Sequence, residues 1–210
     1  MTERGMIFNA EMVRAILDGR KTQTRRIVKG TDGAVKFCKE WNINGEEVFV
    51  VLGEKDHTGM NPVLGAISCP FGAVGDRIWV REAFRVHSRA TDVATLVYKA
   101  SERNSWTEQT RRVPVAVCNK PATPEKWTPS LHMPRWASRI LLEITGVRVE
   151  RLRSMSQDDA RAEGVIAASG PMEAGLAFRE LWDSIYGEES WKDNPWVWVI
   201  EFKRVEGGAA

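Results

Sequence analysis

The residues best suited to chemistry crowd between Gly19 and Arg26, Gly-Arg-Lys-Thr-Gln-Thr-Arg-Arg, where four cations stand beside two hydroxyls and an amide. Lys21 is the potential base: enclosure and neighbouring cations lower a lysine pKa towards neutrality, and Arg20, Arg25 and Arg26 supply such cations. Thr24 offers a hydroxyl that stays inert until a base takes its proton. A carboxylate would orient the lysine or shuttle a proton, and Glu163 and Glu82 are the candidates. The competing reading is a solvated helix end, whose cations favour the macrodipole and whose Thr24 is only a strand residue. Geometry adds a condition. Positions three apart in a regular strand face opposite sides, so Lys21 and Thr24 converge only if the turn after Gly19 extends past Lys21 or the strand is bulged.

The elements that must position these groups follow from local signals. Met6 to Phe8 reads as a short strand, Asn9 as an N-cap, and Ala10, Met12, Val13, Ile16 and Leu17 repeat with helical period. Gly19 suits the left-handed residue that ends this helix, and Thr24 to Val28 is extended. Residues 29–73 are punctuated by glycines, with Val48 to Leu52 the one clear strand. They read as an insertion or a hairpin-bearing lid, short of apolar residues for a core of its own. Gly75-Asp76 turns into a strand at Arg77 to Glu82. Thr95 to Lys99 is another strand, and Val113 to Val117 is its hairpin partner across a polar, turn-like Ser101 to Thr110. Pro121, Pro124, Pro129 and Pro134 break the loop that follows.

Ile140 to Thr145 and Val147 to Leu152 read as two strands around Gly146. Ser156-Gln157-Asp158-Asp159 is a capping box for a short helix reaching Gly164. Glu173 to Tyr186 is a second long helix, with Leu176, Ala177, Leu181, Trp182 and Ile185 on one face. After Asn194-Pro195, Trp196 to Val205 is apolar enough to be a central strand, and Gly207 to Ala210 is expected to fray. Short strands, few helices and no regular βαβ alternation point to an α+β fold around a small barrel, as one domain over residues 1–210.

A net charge of only +2 means that any basic surface must be local. Trp79, Trp136, Trp182, Trp196 and Trp198 lie in apolar runs and are expected in the core. Trp41, Trp106, Trp127 and Trp191 lie in polar segments that suit rim packing or base stacking. No signal-peptide pattern and no apolar run of about 18 residues appears, so no membrane association is expected. Three separated cysteines argue against a disulfide framework and make the cytoplasm the expected location; Cys69, before Pro70, reads as a small buried hydrophobe. Zinc-deaminase, Cys-x-x-Cys, His-Glu-x-x-His, Gly-x-Ser-x-Gly, Walker and Gly-x-Gly-x-x-Gly patterns are missing. His57, His87 and His132 are isolated. No metal, cofactor or obligate protein partner is expected.

Gly19-x-Lys21-x-x-Thr24-x-Arg26 resembles the signature of the ASCH domain family, which commonly has Glu where Thr24 stands. Threonine there resembles the subset that acts as N4-acetylcytidine amidohydrolases. Ala15 to Thr22 and the ending Val197 to Lys203 are similar to that subset too. Met155 to Gly164 resembles its short helix with a functional glutamate, and the match falls on Glu163. Gly75 to Val80 looks like the family's Gly-Asp turn and strand, while Cys69 to Gly72 and His132 to Trp136 are similar to prophage-encoded ASCH-like proteins. The resemblance covers residues 6–28, 74–84 and 137–204 and leaves inserts at about 29–73 and 85–135 outside it.

The resemblance implies a PUA-like small β-barrel with flanking helices, and a modified nucleoside or RNA as partner. It also implies metal-independent removal of an acyl group from N4-acylated cytosine. Lys21 would deprotonate Thr24, whose oxygen attacks the acyl carbonyl, and Glu163 would hold the lysine and help protonate the departing amine. Backbone N–H groups or Arg26 would stabilise the oxyanion. Arg20, Arg26, Glu82 and Trp79 are the expected substrate-binding residues. Glu163 activating a water directly is the alternative division of labour. A different class of reading is a non-catalytic RNA-binding module, with Arg20, Lys21, Arg25 and Arg26 on phosphates and Trp106 or Trp127 under a base. Ribonuclease activity ranks last, because the motif has no catalytic histidine.

Overall fold

Asn9 sets the first helix locally: its side chain accepts a 2.8 Å hydrogen bond from Met12 N, and Gly19, at φ +74°, ends the helix as expected. The computed structural model describes residues 1–166 and 173–205, so the tail from Gly207 to Ala210 lies outside the described residues. Eleven strands in three sheets and five helices make the described residues a mixed α+β fold. The chain begins with β1 (Glu3–Ile7), α1 (Ala10–Leu17) and β2 (Gln23–Ile27). Next come β3 (Lys36–Trp41), β4 (Glu47–Leu52), β5 (Val63–Ile67), β6 (Arg77–Arg81), β7 (Phe84–Arg89) and β8 (Val93–Tyr98). The short α2 (Trp106–Gln109), β9 (Thr110–Pro114) and β10 (Leu141–Arg151) follow. Then α3 (Gln157–Ala162), α4 (Glu173–Tyr186) and α5 (Glu188–Asp193) lead to β11 (Trp196–Arg204). Among the described residues no strand pairing closes a sheet into a barrel, and no helix is long and apolar enough to cross a membrane.

The chain divides into two compact units, each assembled from separate stretches. The first takes residues 1–20, 76–143 and the chain from 203 onward. In it β1 runs parallel to β6, Gly5 opposite Trp79, and β6 pairs antiparallel with the start of β10. A Cβ on Gly5 would lie 2.5 Å from the Trp79 ring, so the glycine is what lets the indole lie across β1. β7, β8 and β9 form an antiparallel meander. Its core of Phe84, Val86, Ala94, Leu96, Tyr98, Val113, Cys118, Met133 and Ala137 comes almost wholly from the second insert.

The second unit takes residues 21–75 and 144–202. β11 lies between β10 and β2, central as its composition demanded, with Thr24 opposite Ile200 and Arg25 opposite Val199. One face of this ladder, Ile27, Val197 and Val199, packs on Leu152, Ala160, Ala174, Phe178 and Trp182 from around α3 and α4. On the alternate face Trp196 meets Phe37 at 4.8 Å and Trp198 meets Phe49 at 5.0 Å between ring centroids. Those phenylalanines belong to the antiparallel meander β3-β4-β5, so the first insert makes its core by stacking on β11.

Four sequence expectations are corrected. Gly146 makes no turn: β10 runs through it, and the glycine leaves room for the Glu201 carboxylate, whose Oε2 would lie 2.7 Å from a Cβ there. The buried stripe of α4 is Ala174, Phe178 and Trp182, while Leu176 and Ile185 are 61% and 44% exposed; the aromatic pair at i and i+4 buries more area than the aliphatic face. Trp182 and Trp198 are buried, but Trp79, Trp136 and Trp196 are half-buried. Cys69 is half-buried and Cys118 is the buried thiol.

Candidate functional site

Alternation along β2 decides what the motif can reach. Gln23 and Arg25 point to the side of α3, and Thr24 and Arg26 to the side of the β3-β4-β5 meander. α3 is short and acidic at both ends. Asp159 closes the capping box with Ser156, and Glu163 caps the C-terminus before Gly164 turns the chain at φ +86°. These two carboxylates stand four residues apart and so share one helix face. Thr22 N donates to Ala162 O at 2.8 Å, which clamps the chain before β2 against the helix end.

The result is a buried ionic knot. Lys21 Nζ donates to Glu163 Oε2 at 2.7 Å and to the Glu163 carbonyl at 2.9 Å. Arg25 donates to Glu163 Oε1 at 3.0 Å and, with its other terminal nitrogen, to Glu150 Oε1 at 2.6 Å. Arg148 and Gln23 both donate to Asp159. Lys21, Arg25 and Glu163 are each 2% exposed, so this is a desolvated cluster in which removing one charge strands another. Burial pushes the Lys21 amine below its ordinary value; Glu163 opposes this, and Arg26 and Arg25 add to the fall. Partial burial acts to raise the Asp159 carboxyl, but hydrogen bonds from Ser156 and Gln23 and the charge of Arg25 hold it well below the usual carboxylate range.

Thr24 is placed differently. Its Oγ1 is buried and has no hydrogen-bond partner, so the structure brings Lys21 and Glu163 together without bonding Thr24 to either. Arg26 is half-buried on the Thr24 face opposite Trp198 and donates to the Arg25 carbonyl at 3.3 Å. Arg20 is exposed, in the first unit, and pairs with Asp18 at 3.0 Å.

Glu82 and Trp79 also belong to the first unit. Arg139 grips Glu82 as a fork at 2.9 and 3.0 Å and stacks 4.1 Å from the Tyr98 ring. Burial raises the Glu82 carboxyl above its ordinary value, partly offset by Arg139. Trp79 covers Gly5 and carries the Arg81 guanidinium at 5.4 Å. Both side chains are thus engaged within their own unit.

No family model, curated protein or solved structure matches the chain. What the site can do therefore follows from its own geometry. A cavity of about 340 Å³ opens beside the knot, lined by Thr22, Gln23, Ser156, Asp159 and Glu201 among others. Among the described residues no three His, Cys, Asp or Glu side chains converge as a metal site. Arg25 is the member that the sequence reading treated as a nearby cation or a phosphate grip, not as a partner of Glu163. The signal was present: in an extended chain Lys21, Gln23 and Arg25 share a face, so a carboxylate meeting one meets the others.

Proposed function

We propose that the chain is an ASCH-like amidohydrolase with Lys21, Thr24 and Glu163 at its centre, acting on N4-acylated cytosine. The observation that carries the reading is a buried lysine of lowered basicity, fixed by one glutamate, three residues before a buried threonine hydroxyl with no partner. A neutral lysine amine has two N–H bonds and one lone pair. The carbonyl and Oε2 of Glu163 account for both N–H bonds and leave the lone pair free. Lys21 and Thr24 lie on opposite faces of the extended chain, so taking the Thr24 proton requires a local shift of residues 21–24 that brings the two together. The freed Thr24 oxygen then attacks the acyl carbonyl, and collapse of the tetrahedral intermediate breaks the C–N bond. The proton taken from Thr24 passes from Lys21 to the departing cytosine amine, with Glu163 as relay. Water hydrolyses the acyl-threonine and regenerates the hydroxyl.

Arg25 is a positioning residue in this scheme: it occupies Glu163 Oε1 and so presents Oε2 to Lys21. Glu163 activating a water directly is less favoured, because both of its oxygens are already engaged by cations. The same reading includes the PUA-like small barrel. Its support is that α1, β2, β6, β10, α3 and β11 fall within the matching stretches, whereas both three-stranded meanders fall in the inserts.

The test is hydrolysis of N4-acetylcytidine by the purified chain in the presence of chelator. Turnover that disappears in Lys21→Ala and in Thr24→Ala is the expected result. No turnover at high enzyme concentration, or full activity in either variant, rejects the proposal.

A further inference from the structure

Lys21 and Arg25 of the candidate site are engaged by carboxylates, whereas several cations of the second insert are not. Residues 85–135 carry nine Lys and Arg against four Asp and Glu, although the whole chain is only +2. The rest of the chain is therefore net acidic, and the positive field is concentrated in this insert. Its proline-broken loop arches over β7 and is anchored to it at both feet. Thr123 N donates to Val86 O at 2.8 Å at one foot, and Thr128 N donates to Phe84 O at 2.7 Å at the other. Lys126 N donates to Thr123 O at 3.1 Å and closes the turn between them.

Beneath the arch lies a cavity of about 330 Å³ lined by Val86, Lys120, Pro121, Lys126, Trp127 and His132, with Thr123, Thr128 and Pro129 completing the wall. The Arg85 guanidinium stands 4.5 Å from the centroid of the Trp127 ring. Arg85, Lys120 and Lys126 have no carboxylate partner among the described residues. An indole and prolines beside unpaired cations form a lining that suits a flat aromatic ring bearing phosphates. The volume lies at the small end of ligand sites, roughly 300–1,000 Å³, and admits a base with its sugar but not a duplex.

We propose that this cavity binds a single-stranded polynucleotide, with one base in the slot against Trp127 and the flanking phosphates on Lys120 and Lys126. The site is distinct from Lys21 and its partners, and its occupancy requires no turnover. The test is fluorescence anisotropy of the full chain with an end-labelled single-stranded oligoribonucleotide, repeated with the same sequence as DNA, as a duplex, and against inorganic polyphosphate as competitor. Both single strands should bind, with affinity falling as salt rises by about 0.7 in the logarithmic slope for each phosphate contacted. Lys120→Gln with Lys126→Gln should flatten that slope by about 1.4 without lowering the melting temperature. Trp127→Ala should weaken binding by roughly tenfold or more and Trp127→Phe should recover most of it.

Lys120→Gln with Lys126→Gln should leave N4-acetylcytidine hydrolysis unchanged, so loss of hydrolysis and loss of binding are separable. Binding of neither single strand overturns the proposal, as does tighter binding of the duplex. So does competition by polyphosphate as effective per phosphate as the oligonucleotide, which would mark an anion patch only. If Trp127→Ala melts early, the lysine pair decides alone, and an unchanged salt slope overturns it.

Discussion

Lys21 donates twice to a single residue, and this makes its protonation state unusually sensitive to Glu163. Nitrogen-detected NMR of Nζ should give Lys21 a pKa below 10.5. Glu163→Gln removes the charge that opposes burial, so the value should fall further, and Arg26→Gln should raise it. A rise in Glu163→Gln contradicts this account. The hydrolysis rate should climb with pH as Lys21 loses its proton, and the midpoint of that limb should move with the same variants. Linkage has the same sign: between the folded value and 10.5 the unfolded chain binds more protons, so stability rises with pH across that window. Thr24 allows a second test. A buried hydroxyl without a partner costs stability, so Thr24→Val, nearly the same shape, should be neutral or stabilising by about 1 kcal/mol while abolishing hydrolysis. A melting temperature that drops sharply in Thr24→Val would mean that the hydroxyl has a structural partner.

At the scale of elements, the clearest constraint is the crossing of β1 by an indole. Gly5→Ala would place a methyl 2.5 Å from the Trp79 ring, an overpacking that should cost about 1–3 kcal/mol. Denaturant midpoints should show the loss, and Trp79→Val should relieve it in the double variant; additive losses would refute the crossing. What the sequence made legible, and what it hid, follows the range of each signal. α1 was readable because Asn9, the apolar spacing and Gly19 all act within a turn of one another. Only family likeness singled out Glu163 over Glu82 as the partner of Lys21, since 142 residues separate the pair. Arg25 could have been paired with Lys21 by strand alternation. Gly146, in contrast, had no local clue, because the group that lies over it is Glu201 on another strand. β7 went unread because Arg85, His87 and Arg89 dilute a run in which only Phe84 and Val86 are buried. The inserts lay outside all but two short likenesses, yet each proves to be a meander with a definite core.

At the scale of the whole molecule, acid should act on the two units with opposite sign. Asp159 lies in the second unit, and its carboxyl is held below 3.8 by its hydrogen bonds and Arg25 against a burial that opposes them. Below 3.8 the unfolded chain binds more protons than the folded one there, so stability present at neutral pH is lost as the pH falls through that window. Glu82 lies in the first unit and is raised above 4.5 by burial, despite Arg139. The folded state binds its proton first, so acidification towards 4.5 adds stability to that unit. Acid unfolding should therefore depart from two-state behaviour. Pulsed hydrogen exchange between about pH 4 and pH 3 should show amides of β2, β11 and α3 losing protection while those of β7 and β8 keep it. Glu82→Gln, which cannot take up the proton, should remove the first unit's gain and bring the two transitions together. A single cooperative loss of protection in the unaltered chain would show that the units do not titrate independently.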